Sequence, residues 1–209
     1  MLDIPALMAE LAGSRPVFHS EADFQMALAW HAKETWKDLA VRLERPVPVA
    51  HGRIHADIWV QGNGCQEIIE LKYKTAPLST SVLGEEYMLT GHSAHDQGRY
   101  DFCKDIERVE DFVHAGPGRS GWAILLTNDG RYWGPPRALA TIDAAFLLHD
   151  GCRLQGKLDW SDRAAPGSNK GRECSIHIRG PHEPKWADYG LAISASSGEF
   201  KFLAVNVIA

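Results

Sequence analysis

The common sequence shortcuts to a function are missing from this chain. Its four cysteines, at 65, 103, 152 and 174, form no CxxC spacing. The first two fall inside expected secondary structure, which argues against a zinc ribbon or disulfide framework and for reduced thiols in a cytoplasmic protein. No apolar run approaches membrane-spanning length. The opening MLDIPALMAELAGSR carries acids within its apolar stretch and no basic lead, so it does not read as a secretory signal. Positive charge is not in excess: 22 Lys and Arg stand against 27 Asp and Glu, a net charge of −5. That argues against a general nucleic-acid binder. It leaves room for a protein with a single basic face. Gly167 to Arg172 lacks the spacing of a phosphate loop, and Gly118-Arg119-Ser120-Gly121 lacks that of a nucleophile elbow. His92 and His95 form an HxxH without the glutamate of a zinc protease. No internal repeat or low-complexity tract is present, and 209 residues at 44% hydrophobic content suit one globular domain with a proper core.

What is present is concentrated in IHADIWVQGNGCQEIIELKYK, Ile54 to Lys74. Ile54, Ala56, Ile58 and Val60 alternate with His55, Asp57, Trp59 and Gln61, the period of a half-buried strand. Asn63-Gly64 predicts a type I′ hairpin turn, because both central residues must tolerate φ > 0. A two-residue turn sets Gly62 opposite Cys65, Asp57 opposite Glu70 and His55 opposite Lys72. A four-residue loop sets Asp57 against Ile68 and His55 against Glu70. Both registers gather the charged groups on one face, where Trp59 is the aromatic placed to stack on a base. Opposed carboxylates repel unless something positive lies between them. A hard ion such as Mg²⁺ resolves the conflict, since two carboxylates and a backbone carbonyl suit it. Lys72 adds positive charge where a phosphate would sit. A solvated face on which Lys72 pairs with both acids needs no ion.

Asp57 followed, after a hairpin, by Glu70-Leu71-Lys72 resembles the D…(D/E)xK signature of the PD-(D/E)xK nuclease superfamily. The expected elements have the matching order: helix, strand with the Asp, strand with ExK, helix, strand. Ser20 to Asp23 opens the first helix with a capping-box pattern, followed by Phe24, Leu28 and Trp36. Thr75 to Gly91 reads as a long connection. His95 to Val109 reads as a helix with Tyr100 or Phe102, Ile106 and Val109 as its apolar stripe. Gly121 to Thr127 has the length of a buried strand. The likeness runs from about Ser20 to Thr127, a little over half of the chain. It implies an α/β fold, a central mixed β-sheet flanked by helices in a restriction-endonuclease-like core over residues 1–133. Residues 134–209 are expected as a C-terminal β-rich extension packed on the same domain, with a short helix over Thr141 to His149. Its strands are expected over Leu154 to Trp160, Ser175 to Arg179 and Phe200 to Val207, and Gly180-Pro181 is expected as a surface turn.

The resemblance further implies a divalent-metal-dependent endonuclease, DNA favoured, in a defence or repair role. Asp57, Glu70 and the Leu71 carbonyl would hold Mg²⁺, with Mn²⁺ as a substitute, and Lys72 would position water or stabilise charge on the phosphate. Many members carry an acid early in the first helix that completes the metal site; Glu21 matches it, and as a first-turn acid it also complements the helix dipole. Gln97 and Tyr100 stand one residue closer than the QxxxY pattern of some branches. With Arg99 and His55 they are the substrate-binding candidates. Lys33, Lys37, Arg42 and Arg45, and around a flexible turn Lys157, Arg163, Lys170 and Arg172, are candidate phosphate contacts. The same residues also fit a catalytically inactive nucleic-acid-binding module, or a metal-dependent hydrolase of a small phosphorylated substrate. No methyltransferase, helicase or ATP-binding segment is present, so targeting would come from a partner protein. A homodimer is compatible with the sequence, and no membrane partner is called for.

Overall fold

The Asn63-Gly64 turn chooses between the two registers left open above. In the computed structural model, which describes residues 2–49, 52–136 and 140–208, Asn63 and Gly64 have φ of 52° and 77°. Gly62 pairs with Cys65, so the loop has two residues. The turn joins β2 (Gly52–Gly62) to β3 (Cys65–Lys74). β1 (Ala40–Val49) pairs with the outer side of β2. On its other side β3 runs parallel to β6 (Arg119–Thr127). Parallel neighbours need a crossover, and α3 (His95–His114) supplies it.

The central sheet is completed by two strands from the C-terminal part, β10 (Lys201–Ile208) and β9 (Trp186–Asp188), in the order β1-β2-β3-β6-β10-β9. The mixed sheet separates two cores. Ile58, Val60, Ile69, Leu71, Tyr73, Ile124 and Leu126 pack with α1 (Ile4–Ser14) and α2 (Glu21–Thr35). Ala56, Trp59, Ile68, Ala123, Leu125, Leu203 and Val205 pack with α3. The acids in the N-terminal apolar stretch have places in α1: the Asp3 carboxylate accepts the Ala6 N–H at 3.1 Å as the cap, and Glu10 is exposed. In α2 the Ser20 hydroxyl accepts the Asp23 N–H at 3.1 Å, while Asp23 reaches back to the His19 N–H at 2.9 Å. Among the described residues no helix is long and apolar enough to cross a membrane.

Four expectations are corrected. Thr75 to Gly91 is not an open loop but holds a hairpin, β4 (Leu78–Val82) and β5 (Glu85–Leu89), around Leu83 and Gly84 at φ of 55° and 81°. Leucine rarely takes a turn position that requires positive φ, which hid the signal. Of the helix expected over Thr141 to His149, only a 3₁₀ turn at Ala144–Phe146 forms. Gly180-Pro181 lies inside β8 (Ile176–His182), which pairs with β7 (Leu154–Leu158) against α3, rather than in a surface turn. The Gly180 N–H donates to Glu110 of α3 at 2.9 Å, which keeps that backbone in a strand. Finally, the alternation in β2 breaks: Ala56 faces the α3 core, whereas Ile58 and Val60 face the α1–α2 core. The switch falls at Asp57.

Candidate functional site

β2 and β3 part at Asp57. Their ladder ends with Ile58 opposite Ile69, so the facing pair of Asp57 and Glu70 that the turn predicts does not form. The reason is a substitution of side chain for backbone. The Leu71 N–H, which a continuing β2 would have engaged, donates to Asp57 Oδ2 at 2.6 Å. Two residues on, the Tyr73 N–H donates to Glu21 Oε2 at 2.8 Å. Two carboxylates, from β2 and from the first turn of α2, thus satisfy the amides that the parting strand leaves open. Gln25 pins β2 in its diverging course, its Nε2 donating at 2.7 Å both to the Asp57 carbonyl and to Glu44 Oε1.

Glu70 and Lys72 project from β3 toward α3, where Asp105 and Arg108 meet them. Arg108 Nη2 contacts Glu70 Oε2, and Arg108 Nη1 lies 3.0 Å from Asp105 Oδ1. Lys72 Nζ lies 2.7 Å from Asp105 Oδ2 and donates to the Leu71 carbonyl at 3.1 Å. Glu70 is fully buried, and its Oε1 has no hydrogen-bond partner. Burial, then the neighbouring Asp105, pushes the Glu70 carboxyl well above the usual carboxylate range. Burial also raises Asp105 to about 6 against the pull of Lys72 and Arg108. Asp57 is raised by burial, opposed by the Leu71 amide and by Lys72. Burial would lower Lys72, but Asp105, Glu21 and Asp57 together outweigh it and the ammonium is held charged. Four carboxyl groups (Glu21, Asp57, Glu70, Asp105) therefore act on two cations (Lys72, Arg108), so acids outnumber bases here. Perturbed carboxyls of this kind gather at functional sites, though ion-pair networks also produce them.

Asp105, Arg108 and Gln25 were not singled out from the sequence. Asp105 did leave a signal: it stands three residues after Phe102 and four before Val109, an acid inside the apolar stripe of α3.

Compared with known proteins, the chain matches no family model, no curated protein and no solved structure.

The structure places the other candidates elsewhere. Gln97 Nε2 donates to the Ser168 carbonyl at 2.9 Å, Arg99 Nε to Asp143 at 2.6 Å, and the Tyr100 hydroxyl to the Cys174 carbonyl at 2.8 Å. All three fasten the start of α3 to the C-terminal part. His55 is exposed on β2, opposite Pro46. Trp59 lies in the core beside α3 under the Arg45 guanidinium, 3.7 Å from its ring, so it is not open to a base. His92 and His95 diverge, the first accepting the Thr75 N–H at 3.0 Å and the second meeting Asp129 at 2.8 Å. A polar cavity of about 390 Å³ opens beside the site, lined by Glu21, Tyr73, Lys74, His19 and His92 among others.

Among the described residues no three His, Cys, Asp or Glu side chains converge closely enough to hold an ion by themselves. A smaller set of hard oxygens is at hand in Asp57, the Leu71 carbonyl and Glu70, whose buried Oε1 lacks a partner. That set suits Mg²⁺, which keeps several of its waters and asks for only one or two carboxylates.

Proposed function

We propose that the chain is a divalent-metal-dependent phosphodiesterase acting on nucleic acid, with DNA the favoured substrate, built in the manner of the PD-(D/E)xK nucleases on a restriction-endonuclease-like core. The observation that carries this reading is the parting of β2 from β3, which sets the Asp57 carboxylate on the Leu71 amide beside a buried Glu70 oxygen without a partner. Asp57, Glu70 and the Leu71 carbonyl would hold Mg²⁺ or Mn²⁺. Such an ion, when bound, polarises a phosphoryl oxygen and lowers the pKa of a coordinated water. Lys72, kept charged and positioned by Asp105, would supply positive charge to the phosphate as negative charge builds on it. Glu21 and Gln25 would act on the geometry, the one satisfying the Tyr73 amide and the other holding the Asp57 backbone.

One observation favours a second reading, a nucleic-acid-binding module without turnover. Arg108 and Lys72 already neutralise Glu70 and Asp105. Incubation with Mg²⁺ or Mn²⁺ and plasmid DNA, single-stranded DNA, RNA and a small phosphodiester separates the two. Cleavage should require the metal, vanish in Asp57→Ala and fall on the order of 10²-fold in Lys72→Ala with metal binding retained. Metal-independent binding without cleavage of any of the four would leave the binding module standing instead.

A further inference from the structure

The two cations of the site are not held alike. Lys72 is enclosed, its side chain 17% exposed, and its ammonium is tied both to Asp105 Oδ2 and to the carbonyl of its own neighbour Leu71. Arg108 is less enclosed, its side chain 32% exposed, so part of it is open to solvent. It stands one helical turn beyond Asp105, so it can keep that contact at i, i+3 while releasing Glu70. Glu70 is different again. It is fully buried, it has the single cationic contact to Arg108 on Oε2, and its Oε1 faces no donor. A buried carboxylate left in that condition is costly unless something positive reaches it.

We infer that Arg108 is the resting counter-ion of this site: its guanidinium bridges Glu70 and Asp105 until a divalent cation takes Glu70, and it thereby sets how tightly that cation is held. The inference rests on the metal reading proposed above and adds to it a positioning residue on α3. Two positive groups cannot both approach the one buried carboxylate without repulsion, so the ion and Arg108 compete. Withdrawal of the guanidinium toward solvent also opens the α3 side of Glu70. The arrangement keeps the acids neutralised in the metal-free protein, at the expense of affinity for the ion.

Calorimetric titration with Mn²⁺ alone, without nucleic acid, tests this. Arg108→Met removes the competitor at similar volume; the metal-free protein should melt at a lower temperature while binding Mn²⁺ on the order of tenfold more tightly. Arg108→Lys keeps a charge but cannot bridge both acids, so it should fold more readily and fall between wild type and Arg108→Met. It carries the test alone if Arg108→Met does not fold. A purely structural Arg108 would lose stability and metal affinity together. Wild-type binding that is unchanged or weakened in the variants overturns the inference and leaves the metal reading intact. Binding by the variants but not by the wild type supports it. If neither wild type nor variants take up Mn²⁺, the inference falls together with the metal reading.

Discussion

Asp129 and Glu70 are both buried carboxylates, and their opposite treatment separates a structural acid from a candidate functional one. Asp129 accepts from Arg131 through Nε at 3.0 Å, Nη2 at 2.8 Å and the backbone N–H at 3.1 Å, and it meets His95 at 2.8 Å. Burial would raise its pKa, but these bonds outweigh it and hold the carboxyl at about 2. A depressed pKa means that the unfolded chain binds the proton more readily. The stabilisation is therefore complete above about pH 4 and is lost as pH falls through about 2. Asp129→Asn should cost on the order of 2 kcal/mol at neutral pH and flatten the stability profile between about pH 4 and 2, read from urea unfolding at a series of pH values. Glu70 has one cationic partner and is raised instead. Its type and spacing with Asp57 and Lys72 were legible in the sequence. Its partners were not, because Asp105 and Arg108 come from a helix more than thirty residues away, and only the crossover brings that helix over β3.

Elements were legible where local chemistry decides them. The Asn-Gly turn, the serine cap of α2, the stripe of α3 and the apolar run of β6 each follow from short-range rules, and each formed close to where it was expected. The β4–β5 hairpin was missed because its turn uses leucine. The break in β2 at Asp57 was missed because a capping carboxylate, not a turn residue, ends the ladder. How α3 seats against the sheet depends on Gly121 in β6. A Cβ there would stand 2.5 Å from Val109 Cγ1 and 3.0 Å from the Ile68 carbonyl oxygen. Gly121→Ala should destabilise by about 1–3 kcal/mol through overpacking alone. Chemical denaturation measures the cost, and a value near zero would mean that α3 shifts freely. Because α3 also carries Asp105 and Arg108, the site should feel the same displacement.

At the scale of the molecule, the difficulty for a nucleic-acid reading is the net charge of −5. Three of the eight basic residues singled out from the sequence do not ease it. Lys33 caps the Lys37 and Leu39 carbonyls, Lys157 pairs with Asp159, and Arg172 pairs with Asp101. The parting of β2 from β3 has another consequence, however. Beyond Ile58 the β1–β2 ladder runs on without β3 as a two-stranded arm, from Arg45 opposite Ala56 to Val49 opposite Gly52. Residues 45–56 contain Arg45, His51, Arg53 and His55 and no acid. Arg45, Arg53 and His55 are exposed. The arm springs from Asp57 itself, so basic side chains would flank the site while the acids remain at its centre. Phosphate contacts of this kind give affinity that falls with salt, the logarithm of the binding constant losing about 0.9 per contact for each decade of salt on duplex DNA. Replacing Arg45 and Arg53 together by alanine should therefore flatten the salt dependence of duplex binding, measured by fluorescence anisotropy without divalent ion, by up to about two contacts' worth. Cleavage of a small phosphodiester, which is too short to reach the arm, should continue at the wild-type rate. An unchanged salt slope would take the arm out of the interface, whereas a lost small-substrate activity would show that the substitutions had disturbed the site where the two strands part.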